Sequence, residues 1–143
     1  MKQLISFIFL LISTVTFAQN DKAEIRKTVE NFFAAMYNAD VNALNKTFSE
    51  TVAFQTIYKN GNVKTENAKA FAESLSKFSK GDLNEKIKIK KINTDGKLAS
   101  VWMTYEFVFK GKTSHCGVNS FQLVKLNDEW KVQYIIDTRR KCD

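Results

Sequence analysis

Apolar residues recur at steps of three and four through Ile25, Val29, Phe32, Phe33 and Met36, and the charged Lys22, Glu24, Arg26, Lys27 and Glu30 lie mostly off that stripe. This period predicts an amphipathic helix from Asp21 to Tyr37. Asn38-Ala39-Asp40 breaks it, and Asp40 is placed to cap a second, short helix from Val41 to Thr47 that carries Val41, Leu44 and Phe48 inward. From Thr51 to Tyr58 the period changes to two, which predicts a strand. Lys59-Asn60-Gly61-Asn62 reads as a turn, because Asn-Gly accepts positive φ cheaply. Thr65 then stands as the cap of a third helix, with Ala68, Phe71, Ala72, Leu75 and Phe78 on its buried face and Gly81 closing it.

Beyond Asn84 four strands follow one another: Glu85 to Asn93, Lys97 to Lys110, Thr113 to Leu126, and Glu129 to Arg139. The turns between them are short, so the strands form antiparallel hairpins. The predicted order is α-α-β-α-β-β-β-β in one domain, an α+β fold with helices on one face of a meander. If Asn127-Asp128 is a two-residue turn, Phe121 lies opposite Tyr134, Asn119 opposite Ile136 and Cys116 opposite Arg139. His115, Gly117, Asn119, Phe121 and Leu123 then share the inward face. If Gly111-Lys112 is the preceding turn, Trp102 faces Phe121, and Glu106 lies diagonally from His115. That register leaves Val101, Met103, Tyr105, Phe107 and Phe109 on the outer face. Either a bulge shifts the register or both faces are buried, and because an exposed apolar row of that length is an aggregation hazard, the expectation is a homodimer through the sheet rather than a bulged monomer.

The chain starts differently from the rest. One lysine, Lys2, precedes about a dozen mostly apolar residues, and small and polar residues end at Ala18-Gln19. This is the order of a secretory leader, residues 1–18, cleaved after Ala18. The apolar run is shorter than the roughly 20 residues that span a bilayer. The expectation is an exported protein, periplasmic or extracellular, with no membrane attachment once the leader is removed. Cleavage removes one lysine and no acid, so the net charge of +7 falls to +6. That balance disfavours cationic partners at long range and mildly favours anionic ones. The basic residues are dispersed and no nucleic-acid-binding motif accompanies them, which argues against a nucleic-acid partner. With 12 Phe and a 44% apolar composition the chain can bury a core, which argues against disorder.

Candidate chemistry is sparse. There is one histidine and there are two cysteines, which does not support a zinc site, and no cofactor motif is present. His115 and Glu106 form the best acid–base candidate, with a plain cross-strand contact as the alternative. Asp137, Arg139 and Arg140 form a second charged set, suited either to greeting a carboxylate or phosphate or to fastening the last strand as an ion pair. Cys116 and Cys142 are expected to pair, because Cys142 lies three positions beyond the residue opposite Cys116. Tyr37, Phe54, Trp102, Asn119 and Tyr134 are the expected ligand-binding residues, the two with polar edges, Tyr37 and Trp102, foremost.

Several of these segments resemble the nuclear transport factor 2-like superfamily. They are the Phe32-Phe33 helix ending at Tyr37, Ala39-Asp40-Val41-Asn42-Ala43-Leu44, Phe48, Val52-Ala53-Phe54 followed by Asn60-Gly61, and Phe121-Gln122-Leu123-Val124-Lys125 with Glu129-Trp130-Lys131-Val132. The tail Ile136-Asp137-Thr138-Arg139-Arg140 resembles the SnoaL-like, lumazine-binding-like branch exported from bacteria. The resemblance covers residues 19–143. It implies a cone, a strongly curved, mostly antiparallel sheet wrapped around the first helix and open at one end onto a pocket. Members include isomerases, dehydratases and polyketide cyclases beside many binding modules, and none of their catalytic sets maps onto this chain. The expected function is binding of a small, partly apolar molecule without a cofactor and without catalysis. The alternatives are a proton-transfer enzyme using His115 and Glu106, and a dimeric structural or interaction protein.

Overall fold

The computed structural model describes residues 2–143, with side chains from Asn20 onward. The expected leader, residues 1–18, lies outside the residues whose side chains are described. The elements are helix α1 (Lys2–Asn38), helix α2 (Val41–Lys46), strands β1 (Phe48–Ile57) and β2 (Val63–Glu66), helix α3 (Ala68–Ser74) running into a 3-10 turn (Leu75–Lys77), and strands β3 (Leu83–Asp95), β4 (Leu98–Phe109), β5 (Lys112–Leu126) and β6 (Glu129–Thr138). The strands form one mixed, curved sheet in the order β2-β1-β6-β5-β4-β3, in which only β1 and β6 run parallel. The α+β cone is therefore present, with one correction to the expected order. Val63–Glu66 is a strand paired with Phe54–Ile57, and Asn67, not Thr65, caps α3 by accepting from the Ala70 amide at 2.9 Å. The Asn60-Gly61 turn that the sequence shows folds the chain straight back onto the free edge of β1, and only then does the helix begin.

The apolar stripe of α1 lies in the lap of the sheet. Ile25 and Val29 are fully buried, and Phe32, Phe33 and Met36 nearly so. Phe32 packs against Phe33, Phe48, Phe54 and Phe121 at ring separations of 5.0, 6.0, 6.2 and 5.3 Å. Edge-on packing of this kind adds to the large apolar area that each ring buries. At the opposite end of the described stripe, Asp21 accepts from Lys125 Nζ at 2.7 Å and from Trp130 Nε1 at 3.3 Å, which fastens α1 to the last hairpin.

Two bulges overturn the expected registers. The Asn127-Asp128 turn is as expected, with positive φ at both residues, and Leu123 through Leu126 pair with Val132 through Glu129 as drawn from the sequence. Gln133 is then left without a partner, so Phe121 faces Ile135 rather than Tyr134, and Asn119 faces Asp137 rather than Ile136. Because side chains alternate across a strand, one extra residue exchanges the faces beyond it. Ile135, Asp137 and Arg139 thereby turn inward, and Tyr134 and Ile136 turn outward. The bulge is held by its own side chain: Gln133 donates to the Thr51 carbonyl at 3.1 Å and accepts from Ser49 Oγ at 2.7 Å, across an irregularity in β1.

In the β4–β5 hairpin the turn is Lys110-Gly111, with φ of 48° and 78°, and Ser114 bulges. From Phe107 to Leu98 the pairing is displaced by one residue from the expected one, so Trp102 faces Ser120, Met103 faces Asn119 and Tyr105 faces Gly117. Val101, Met103 and Tyr105 are therefore core residues, and the outer face carries Ser100, Trp102, Thr104 and Glu106. Of the apolar row that called for a partner, Val101, Met103 and Tyr105 are thus buried and Phe107 lines the inside of the cone, while Phe109 at the end of β4 stays exposed.

Cys116 and Cys142 are bonded, with their Cα atoms 5.0 Å apart, and Cys116 also exchanges backbone hydrogen bonds with Arg140. The bond closes a loop of 26 residues and pins the tail to β5. Chain-entropy reasoning for a loop of this size gives about 3 kcal/mol. Cys142→Ser is expected to lower the urea-unfolding free energy by about that amount. An unchanged midpoint would show that the backbone contacts of Arg140 hold the tail without the bond.

Candidate functional site

The open end of the cone encloses a cavity of about 360 Å³. Its walls are apolar: Phe32, Phe33 and Met36 from α1, Phe54 from β1, Phe71 and Phe78 from the α3 side, Leu83 from β3, Phe107 from β4, Phe121 from β5 and Ile135 from β6. Its charged and titratable groups come from the sheet side, Glu66, Glu85, Tyr105, His115, Asp137 and Arg139, together with Gln55, Thr56 and Asn119, and Ser74 adds a hydroxyl from α3. A pocket with aromatic walls and a few placed polar groups is the usual make-up of a small-molecule site. The volume is near the lower end of the roughly 300–1,000 Å³ such sites occupy, which suits one or two rings rather than a steroid.

Asp137 organises the polar end. Its Oδ1 accepts from Thr56 Oγ1 at 2.6 Å, and its Oδ2 accepts from Tyr105 Oη at 3.1 Å and from Arg139 Nε at 3.4 Å. Tyr105 Oη also lies 2.9 Å from the Thr138 carbonyl. That carbonyl fills the space where a side chain on residue 117 would start: a Cβ there would lie 1.8 Å from it and 2.8 Å from the Tyr105 ring. Gly117 is thus the residue that lets the end of β6 and Tyr105 meet. Burial, with Asp137 and Glu85 adding to it, pushes the Tyr105 phenol well above its ordinary range, so it stays a donor. Burial works against the charge on Arg139, but Asp137, Tyr105, Tyr58 and Glu66 together outweigh it and keep the guanidinium protonated.

Glu85 stands apart from that network. It lies on the apolar phase of β3, in step with Leu83, Ile87 and Ile89, while Lys86 and Lys88 point out. Its Oε1 accepts from Asn119 Nδ2 at 2.6 Å. Burial raises its carboxyl to about 7; the Asn119 hydrogen bond lowers it, Asp137 raises it and Arg139 lowers it. His115 packs on the rings of Tyr105 and Phe107, at 5.7 and 5.2 Å, with Nδ1 3.0 Å from Ser114 Oγ. Burial lowers its imidazole, and Arg139 lowers it further against the pull of Asp137, so it is neutral at pH 7.

The structure brings only some of the expected residues to this cavity. Phe54, Asn119 and His115 line it. Glu106 does not: it sits on the outer face, accepts from Thr113 Oγ1 at 2.7 Å and pairs with Lys86 at 3.5 Å. The His115–Glu106 pair is not assembled, because the Ser114 bulge puts the two on opposite faces. Trp102 is 53% exposed on the outer face, and Tyr134 hydrogen-bonds Gln55 on that same face. Tyr37 is also exposed, its ring beside Gly81 rather than in the cavity. Asp137 and Arg139 join the cavity as the ion pair drawn from the sequence, now facing inward, and Arg140 pairs instead with Asp143. Glu85, Tyr105 and Thr56 escaped the sequence reading. For Glu85 a signal existed: it is the one acid on the apolar phase of a clean Lys/Ile alternation.

A family model described as "Putative lumazine-binding" matches residues 20–133. The chain belongs to that family. Solved structures with the nuclear transport factor 2-like fold surround this lumazine-binding family member. One is a protein of unknown function from Shewanella baltica, 14% identical, covering 86% of this chain and 96% of that one at a TM-score of 0.71. A second, also of unknown function, from Silicibacter pomeroyi, is 16% identical over 86% and 98% of the two chains, at 0.70. A third, from Novosphingobium aromaticivorans, is 11% identical over 92% and 90%, at 0.72. These likenesses establish the fold. No curated protein matches the chain.

The raised carboxyl of Glu85 has a consequence for stability. In the unfolded chain it ionises near 4.5 and in the folded one near 7, so the folded state resists the charge and stability falls as pH rises between those values. Glu85→Gln keeps the acceptor for Asn119 and removes the charge. It is expected to be more stable than the native chain at pH 8, by up to about 3 kcal/mol, and equally stable at pH 4 and below. Thermal unfolding of both chains across this range checks it; a constant difference at all pH values contradicts it.

Proposed function

We propose that this member of the lumazine-binding family binds a small, largely apolar ring molecule in the open end of the cone and does not turn it over. The observation that carries this reading is the cavity itself, an aromatic chamber whose charged and titratable groups all come from the sheet side. Such a site grips a flat body by its faces and orients it by one polar edge. Binding is preferred to proton transfer because Glu106, the expected partner of His115, points away from the chamber. The thermal stability of the protein with lumazine and with other planar one- and two-ring heterocycles tests the reading. A ligand at a hundredfold excess over its Kd should stabilise the fold by about 3 kcal/mol. Ser74→Phe, which fills the chamber from α3, should abolish the shift. A shift that survives in that variant would place the ligand elsewhere.

Two further statements belong to this proposal. We place the protein outside the cytoplasm, a reading supported by the leader-like residues 1–18, by the disulfide, and by the fact that among the described residues no helix is long and apolar enough to cross a membrane. We also propose a homodimer through the outer face of the sheet. What supports it is a different set of residues from the row expected at first: the exposed Trp102 with the half-buried Val118, Val124, Tyr134 and Ile136 around it. Light scattering should return twice the chain mass at micromolar concentration, and Trp102→Glu should return the mass of one chain with the fold intact. A native chain of single mass would remove the dimer.

A further inference from the structure

Resting on the binding reading above, we propose that the molecule the chamber takes is a small arylalkylamine or amidine, a cation whose N–H group donates to Glu85. The argument is a charge account of the cavity. Asp137 is satisfied: both oxygens accept hydrogen bonds, and Arg139 balances its charge. Glu66, on β2, pairs with Lys64 at 3.7 Å. His115 and Asn119 of β5 and Tyr105 of β4 are neutral, and the helices contribute no charged group to the lining. Among the described residues, Glu85 is left as the one ionisable cavity group without a counter-charge within ion-pair distance. Its Oε1 is engaged by Asn119, whereas its Oε2 accepts no hydrogen bond among the described residues. No sealed side-chain polar atom lacks a partner, so Oε2 has access to the open space it borders.

A buried carboxylate in a chamber lined by Phe33, Phe78, Phe107 and Leu83 is costly to ionise alone and much cheaper to ionise beside a cation. Aromatic rings attract a positive charge at their faces, so a lining rich in Phe favours an organic cation over an anion. The contrast with the whole chain is sharp. The surface is basic and repels cations at long range, yet the charge the chamber lacks is positive. Selectivity would then lie in contact rather than in steering.

The experiment uses benzylamine, benzyl alcohol and benzoate, a cation, a neutral isostere and an anion of one ring each, followed by backbone amide chemical shifts in the full chain. At pH 8 benzylamine is expected to bind at least tenfold more tightly than benzyl alcohol, with benzoate weakest. Its affinity should fall about tenfold from pH 8 to pH 6, where the amine stays protonated and Glu85 takes up its proton. Asp137, Arg139, Glu66 and His115, the other titratable and charged groups of the lining, act on both probes, so the pH response of benzyl alcohol is the control and should be the smaller of the two. In Glu85→Gln the amine and the alcohol should bind alike. Should that variant not fold, the pH profile of the pair in the native chain decides. Equal or tighter binding of the alcohol in the native chain overturns the amine inference and leaves the binding reading standing. No shift at Phe54, Asn119 or Ile135 with any probe overturns both.

Discussion

One unpaired residue governs this molecule. Before Gln133 the inner face of β6 is Trp130 and Val132; after it the inner face is Ile135, Asp137 and Arg139. Without the bulge the strand would send Tyr134 and Ile136 into the cone and leave the ion pair in solvent. The bulge is fixed by the Gln133 amide, which answers backbone and hydroxyl groups of an equally irregular stretch of β1. An extra residue raises local twist as well as exchanging faces. The same device therefore bends the sheet around α1 and delivers the polar groups to its open end.

The two halves of the cone follow different physics. Toward Ile25 and Val29 the stripe of α1 is sealed by the sheet, and burial of apolar surface is the stabilising term. Toward Met36 the rings stop meeting across the gap, and a chamber remains. There the polar residues constrain one another: Thr56, Tyr105 and Arg139 converge on Asp137, and Asn119 steadies Glu85. Buried networks of this type fix side chains in one arrangement when every member is satisfied. A chamber with rigid walls and a rigid polar floor is pre-organised for a ligand of one shape.

The first two helices, the Asn127-Asp128 turn and the α+β class were legible in the sequence because each rests on a local rule: a 3.6-residue stripe for α1, Asp40 as a cap for α2, a pair of residues that accept positive φ between β5 and β6; the β4–β5 turn was read one residue late, at Gly111-Lys112. The inward set His115, Gly117, Asn119, Phe121 and Leu123 was legible too, since no bulge interrupts β5 over that stretch. What was not legible was parity. Ser114 and Gln133 are ordinary polar residues in strand sequences, and nothing in their identity announces that they stand outside the ladder. Each moved a whole row: one carried Trp102 and Glu106 to the outside, the other carried Asp137 and Arg139 to the inside. Val63–Glu66 was lost for another reason. Four residues are too few to show a period, and they pair only because β1 offers an edge. Glu85 was visible as an acid in an apolar phase, but its weight came from the neighbours that three other strands bring to it.

The bond between Cys116 and Cys142 adds a covalent anchor to this architecture. It ties down the segment that begins just after Arg139, so the wall carrying the guanidinium is anchored at one end by the β6 ladder and at the other by a covalent link. The aromatic half of the cone owes nothing to that link. A chain with free thiols would therefore keep its greasy interior, while the segment that follows Arg139 would lose one of its two anchors.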